Sequence, residues 1–215
     1  MEFQHELVIP DEGLPFKFFL FEGSQGNYVR EKHWHTSVEI FAVMEGSLTF
    51  YLNDEKHPLK AGELMIINSN EVHSIDSPEE NHTAVLQIPL KQFEDYFTAH
   101  RFVRFAGSVP EMDATLWRLV REMYKLYGKR GVGYEFKIRS FYYDVLYFLV
   151  NHYRLDEAGE QEVRHSRRLD ALARITSYMR EHYQEELKLT RSSEHVRLLR
   201  CIFIQNVPEI CKCQF

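Results

Sequence analysis

The 215-residue chain is 44% hydrophobic and 27% charged, the balance of an ordinary globular protein long enough for one or two buried cores. Its net charge of −6 excludes a surface that coats nucleic acid throughout, while leaving room for one basic module. No apolar run approaches the ~18 residues of a membrane span. The N-terminus, MEFQHELVIPDEG, is acidic and broken by Pro10, unlike a secretory signal. A cytoplasmic protein without a membrane partner is the expectation. Cysteines stand only at 201, 211 and 213, an odd set that reads as free thiols rather than a disulfide framework.

From the N-terminus, residues 16–21, FKFFLF, form an aromatic run with strand character, and 22–30, EGSQGNYVR, a glycine-containing loop. Residues 33–46, HWHTSVEIFAVMEG, open a series of β segments: VEIFAVME, SLTFYLN, a turn at Asn53-Asp54-Glu55-Lys56, a segment ending HPLKAGE, then LMIIN and TAVLQIPL. Leu48, Phe50 and Leu52 alternate with Thr49 and Tyr51, the period of a strand with one buried face. Gly46-Ser47, Ala61-Gly62 and Ser69-Asn70 are expected as turns between strands. Short strands at this spacing point to a sandwich or barrel.

The rhythm changes near Pro110. In 111–130, Met112, Leu116, Leu119, Val120, Met123 and Tyr127 recur at helical intervals, with Pro110 or Asp113 marking the start. After Gly131 and Gly133 a second helix is expected over about 134–156, its apolar face wider than one packing surface requires. That width suits either a central core helix or one shared between the barrel and a second subunit. Residues 156–168, DEAGEQEVRHSRR, read as a charged linker. A third helix is expected over 168–186, followed by Thr190 as the cap of a further helix to about 200.

The chemistry concentrates in two stretches. His33 and His35, two apart on a strand, point to one face. Glu39 shares their parity but joins them only if the chain bends, and Thr36-Ser37 is the expected corner. His73 must arrive from another strand. Imidazoles with a carboxylate can hold a divalent metal (Zn, Mn, Fe or Ni), hydrogen-bond a polar effector, or satisfy one another. Trp34 stands between the histidines, and alternation sends it to the opposite side, where core packing is its expected role.

The order and spacing of these residues resemble the two cupin motifs. Glu39 follows His35 by four, Gly46 follows Glu39 by seven, and Gly62 precedes His73 by eleven. The match departs from the pattern where a leading glycine falls at Asn27, with Gly26 beside it. It departs again where Asn68-Ser69-Asn70 replaces Pro-x-Gly and Ser77 replaces a closing asparagine. More narrowly, HWHTSVEIFAVMEGSLTFYLN with LKAGELMIINSNEVHSI resembles the effector-binding domain of AraC-type transcriptional regulators. RITSYMREHYQEELKLT at 174–190 resembles the opening of that family's DNA-binding module. The resemblance runs to about residue 196 and then stops: LLRCIFIQNVPEICKCQF matches neither recognition helix, as a frameshift near Val196 would produce.

This resemblance implies an α+β fold with a cupin-type β-barrel (double-stranded β-helix) over 1–100 and a helical linker and dimerisation region over 101–165. A truncated helix-turn-helix region follows over 166–215. It implies a homodimeric, non-enzymatic sensor of a small molecule such as a sugar, with His33, His35, Glu39, His73 and Phe50 contacting the effector. Specific DNA binding is not expected of this chain, although Arg191, Arg197 and Arg200 suit phosphate contacts. The rival reading is a metal-dependent cupin enzyme using His33, His35, Glu39 and His73 as ligands.

Overall fold

One long strand organises the molecule. The computed structural model describes residues 4–23, 28–52, 55–77, 79–96 and 103–155. The strands β1 (Gln4–His5), β2 (Lys17–Gly23), β3 (Tyr28–Trp34), β4 (Ser37–Leu52), β5 (Glu55–Lys60), β6 (Leu64–Ile67), β7 (His73–Ser77) and β8 (Asn81–Pro89) form one curled sheet. Its pairings are antiparallel except β1 on β3. A 3₁₀ turn (Leu90–Tyr96), β9 (Arg104–Phe105), α1 (Pro110–Lys129) and α2 (Tyr134–Phe148) follow. A wide π turn (Leu149–Tyr153) then leads to β10 (Arg154–Leu155), which pairs with β9. The architecture is α+β, a curled sheet followed by helices.

The first part of β4 is hydrogen-bonded to β8 and β6, and the part from Ser47 onward to β5 and β7. The sequence reading placed a turn at Gly46-Ser47 and so divided this strand in two. The structure corrects it. Register slips between Val43 and Glu45, and Gly46 adopts φ 74°, so the chain bends from one half of the sheet to the other without reversing. The extra residue flips the parity of the strand. Phe41 and Val43 before the bulge, and Leu48 and Phe50 after it, therefore belong to the same interior cluster.

The alternate residues face outward and are covered by helices. Val38, Ile40 and Ala42 of β4 and Leu86 and Ile88 of β8 share a second buried cluster with Leu116, Val120, Met123, Ile138, Tyr142 and Val145. Phe16 and Phe18 reach the same layer, with ring centroids 4.4 Å from Tyr142 and 5.2 Å from Tyr127 respectively. Both markers expected at the start of α1 are used. Pro110 is its first residue, and the Asp113 carboxylate accepts the Val109 N–H at 2.9 Å.

The second helix passes from α to π geometry after Phe148, and its helical path runs to Tyr153, close to the expected end near 156. The π turn carries Tyr153 into the core, where its hydroxyl donates to Asp113 at 2.7 Å and its carbonyl accepts from Ala106 at 2.8 Å. The outward face of α2 leaves Phe136, Tyr143 and Tyr147 exposed. The linker at 156–168, the helices expected at 168–186 and beyond Thr190, Arg191, Arg197, Arg200, the frameshift near Val196 and the cysteines all lie outside the described residues.

Gly46 and Gly62 offer a matched test of the bend. A Cβ on Gly46 would stand 2.0 Å from the Glu80 carbonyl oxygen, whereas one on Gly62 (φ 89°) meets nothing within 4 Å among the described residues. Gly46→Ala is therefore expected to cost about 2–4 kcal/mol, left-handed strain plus overpacking, against about 1–2 kcal/mol for Gly62→Ala. Urea unfolding midpoints measure the difference, and equal losses would contradict the bend.

Candidate effector and metal site

The interior of the curled sheet assembles the four residues expected from sequence. His33 on β3 lies directly across from His73 on β7, with ring centroids 4.2 Å apart. The chain then bends at Thr36, the expected corner, between the end of β3 and the start of β4. That bend brings His35 beside Glu39, its Nε2 2.9 Å from Glu39 Oε2. His73 Nε2 lies 3.3 Å from the same oxygen without forming a hydrogen bond. All four side chains are buried.

Each imidazole is oriented by a backbone carbonyl two residues away. Nδ1 of His33 donates to Glu31 O at 2.9 Å, that of His35 to Ser37 O at 3.0 Å, and that of His73 to Glu71 O at 2.9 Å. A carbonyl can only accept, so each Nδ1 carries the hydrogen and a neutral ring presents a bare lone pair at Nε2. His73 Nε2 is buried with no hydrogen-bond partner among the described residues. One nitrogen from each ring lies within 4.8 Å of the others. The set is therefore rich in acceptors and poor in protons, the character of a cation site with carbonyls behind its ligands. In the absence of a metal, a proton on His35 must bridge to Glu39.

The electrostatics follow. Burial and the neighbouring His73 push the His33 imidazole down to about 4. Burial also disfavours charge on His35, but the charge of Glu39 and its hydrogen bond outweigh this and raise it. Glu39 is held well below the usual carboxylate range: burial opposes this, and the charges and contacts of His35 and His73 overcome it. Its other oxygen accepts from Gln87 Nε2 at 2.8 Å.

Beside this cluster is a cavity of about 170 Å³ lined by Glu6, Lys17, Phe19, Phe21, Arg30, His33, Glu39, Phe41 and Ile75. His35 and His73 stand behind it rather than in its wall. Phe50 lies behind as well, fully buried at 4.4 Å from Phe41, and Phe41 is the ring that faces the space. Trp34 stacks on His5 at 4.4 Å and takes the packing role expected of it. Sequence reasoning missed Glu6, Lys17, Arg30 and Gln87. Gln87 alone left a signal, as the polar residue inside the apolar run TAVLQIPL.

The family model for the AraC-like ligand binding domain matches residues 15–146. Solved structures similar to the chain include a cupin superfamily protein from Desulfitobacterium hafniense, at 10% identity and TM-score 0.35, covering 39% of this chain and 74% of that one. Another is a cupin-2 domain protein from Shewanella frigidimarina, at 28% identity and TM-score 0.31, covering 37% and 76%. A third is a deletion mutant of Bacillus subtilis oxalate decarboxylase, at 21% identity and TM-score 0.33, covering 36% and 22%. No curated protein matches the chain in sequence.

The depressed His33 gives a pH dependence of definite sign. Its folded value of about 4 lies below the ordinary 6.5, so below pH 6.5 the unfolded chain takes up a proton that the folded one refuses. Stability should fall by up to about 3 kcal/mol as pH drops from 6.5 to 4. The raised His35 acts in the opposite sense, its contribution being full below pH 6.5 and lost as pH rises past its folded value. Unfolding midpoints measured with a chelator should therefore peak near neutrality. His33→Gln should flatten the acid limb, and an unchanged limb would contradict the assignment.

Proposed function

The chain belongs to the AraC-like ligand-binding domain family, and we propose that it senses a small organic effector in the cavity between Glu39 and the mouth residues Lys17 and Arg30. The observation that carries this reading is the cavity itself, which has an apolar wall of Phe19, Phe21, Phe41 and Ile75 and polar groups converging from His33, Glu39, Lys17 and Arg30. A 150 Å³ apolar cavity takes up benzene. At about 170 Å³, this space suits a molecule the size of a single ring or a monosaccharide. An effector with unequal affinity for two arrangements of sheet and helices shifts their populations. In a dimer that shift repositions whatever follows the helices. The exposed Phe136, Tyr143 and Tyr147 on α2 support a homodimer, and DNA is the partner the family resemblance supplies.

A second reading is favoured by one specific observation, the partnerless His73 Nε2 facing the Glu39 carboxylate. A divalent cation held by His33, His35, His73 and Glu39 resolves this meeting of acceptors. When bound there it supplies a Lewis-acid anchor for an effector oxygen. Neutral imidazoles and a carboxylate suit Zn, Mn, Fe or Ni. The chain's own part is to hold the three rings by their Nδ1 bonds and to fix Glu39 through Gln87. On the same residues, the rival metal-dependent enzyme would turn over a substrate and lose that turnover in His35→Ala.

A melting-temperature screen of small metabolites tests the sensor. An effector at 100 times its Kd should stabilise the chain by about 2.7 kcal/mol, and Phe41→Trp, which fills the cavity, should abolish the shift. A panel with no stabilising member, or shifts indifferent to Phe41→Trp, would contradict the reading. Elemental analysis of untagged protein purified without added metal tests the second reading. One divalent ion per chain, lost in His73→Ala, is the expected result, and metal-free protein that takes up none on titration refutes it.

A further inference from the structure

Glu6 reaches the cavity from a lightly held edge. Among the described residues, Gln4 and His5 of β1 are in register with β3, and a backbone bond from Glu6 N to Trp34 O at 2.9 Å extends the attachment. Beyond it Leu7 and Ile9 are exposed. The Glu6 carboxylate nevertheless lies in the mouth of the cavity. Arg30 Nη2 donates to its Oε2 at 3.0 Å, and His33 Nε2 is 3.5 Å from that oxygen. Lys17 Nζ lies 3.8 Å from Oε1, which also accepts from Gln87 Nε2 at 3.3 Å. Lys17 stands on β2 and Arg30 on β3, near opposite ends of the strand order, so the two cations converge on one point only because the sheet curls.

With Glu6 removed, the lining would hold two cations against a single carboxylate. That carboxylate, Glu39, is already engaged by His35 and Gln87. The mouth is thus an anion position, now filled by a side chain of the protein, and the space behind it is walled by Phe19, Phe21, Phe41 and Ile75. We propose that the effector is a small carboxylate with an apolar body, and that the Glu6 side chain competes with it for the position between Lys17 and Arg30. The inference rests on the sensor reading of the same cavity and names its ligand class. The effector's body lies against the three phenylalanines, its carboxylate takes the bidentate-capable Arg30 guanidinium, and Glu6 with its short strand is displaced into solvent.

Matched acid and amide pairs test this by calorimetry on the full chain: benzoate against benzamide, and phenylacetate against phenylacetamide. The acid of a pair should bind about tenfold more tightly than its amide, a difference of one charge-assisted contact. Glu6→Gln, at a partly exposed edge, should tighten the acid about fivefold or more and leave the amide unchanged, because a competitor has been removed. Arg30→Gln should erase the preference for the acid. Equal binding of acid and amide, weaker acid binding in Glu6→Gln, or no binding of either acid to any variant would overturn the proposal. If neutral metabolites bind and are blocked by Phe41→Trp but ignore Glu6→Gln and Arg30→Gln, the ligand class is wrong and the sensor stands. If nothing of either kind binds, both fail.

Discussion

A carboxylate buried among imidazoles sets the terms for the rest of this molecule. Glu39 is almost wholly removed from water, and an isolated charge there would be prohibitively costly. Its oxygens are met by His35 at 2.9 Å, His73 at 3.3 Å and Gln87 at 2.8 Å. Gln87 donates, but the two imidazoles turn their Nε2 atoms toward the acid because their Nδ1 hydrogens are spent on backbone carbonyls. The cluster is therefore built to hold a cation of some kind, a proton on His35 or a metal ion, and the carbonyls of Ser37 and Glu71 fix where it would lie. A cavity beside such a cluster has one fixed polar end, the usual requirement for selecting a small ligand.

The same strand that carries Glu39 inward carries Val38 and Ile40 outward onto α1 and α2. Site and helices thus share β4 as a common wall, with no intervening layer. Close-packed interiors transmit displacement poorly by degrees and well by repacking. Movement of Glu39 or Phe41 on ligand binding must therefore be matched by the residues behind them. On the other flank, the Asn68 side chain pairs with the backbone of Phe105, donating to its O at 2.9 Å and accepting from its N at 2.8 Å. This ties the loop before His73 to the strand that pairs with β10. Both connections lead from the cavity toward the end of the helical region, where a sensor has to deliver its signal.

Much of this was legible in the sequence, and the limits have physical causes. His33, His35, Glu39 and His73 could be read because alternation and a single bend fix which side chains meet, and the corner at Thr36 followed from the distance Glu39 would otherwise lie away. The helix starting at Pro110 was legible from its apolar spacing. Gly46 was misread because a left-handed glycine serves a bulge as well as a turn, and only the pairing partners on either side distinguish them. The second helix was legible to within a few residues, but its switch to a π turn at Leu149 was not, since that turn is what carries Tyr153 to Asp113 and Ala106. Phe50 and Phe41 both lie in the interior, and which of them faces the cavity depends on the curl of the sheet. Glu6, Lys17 and Arg30 were invisible, since they come from three separate places, the end of β1, β2 and β3, and meet only across the curl of the sheet.

The protonation pattern that suits the cluster to a cation can be read by nitrogen-15 NMR of the histidine rings near neutral pH in the presence of a chelator. His33 is expected as the Nδ1–H tautomer with a bare Nε2, His73 with its hydrogen on Nδ1, and His35 as a doubly protonated ring. Nε2–H tautomers at His33 and His73, or a neutral His35, would mean that the carbonyl contacts do not hold the rings and that the site is not the one described.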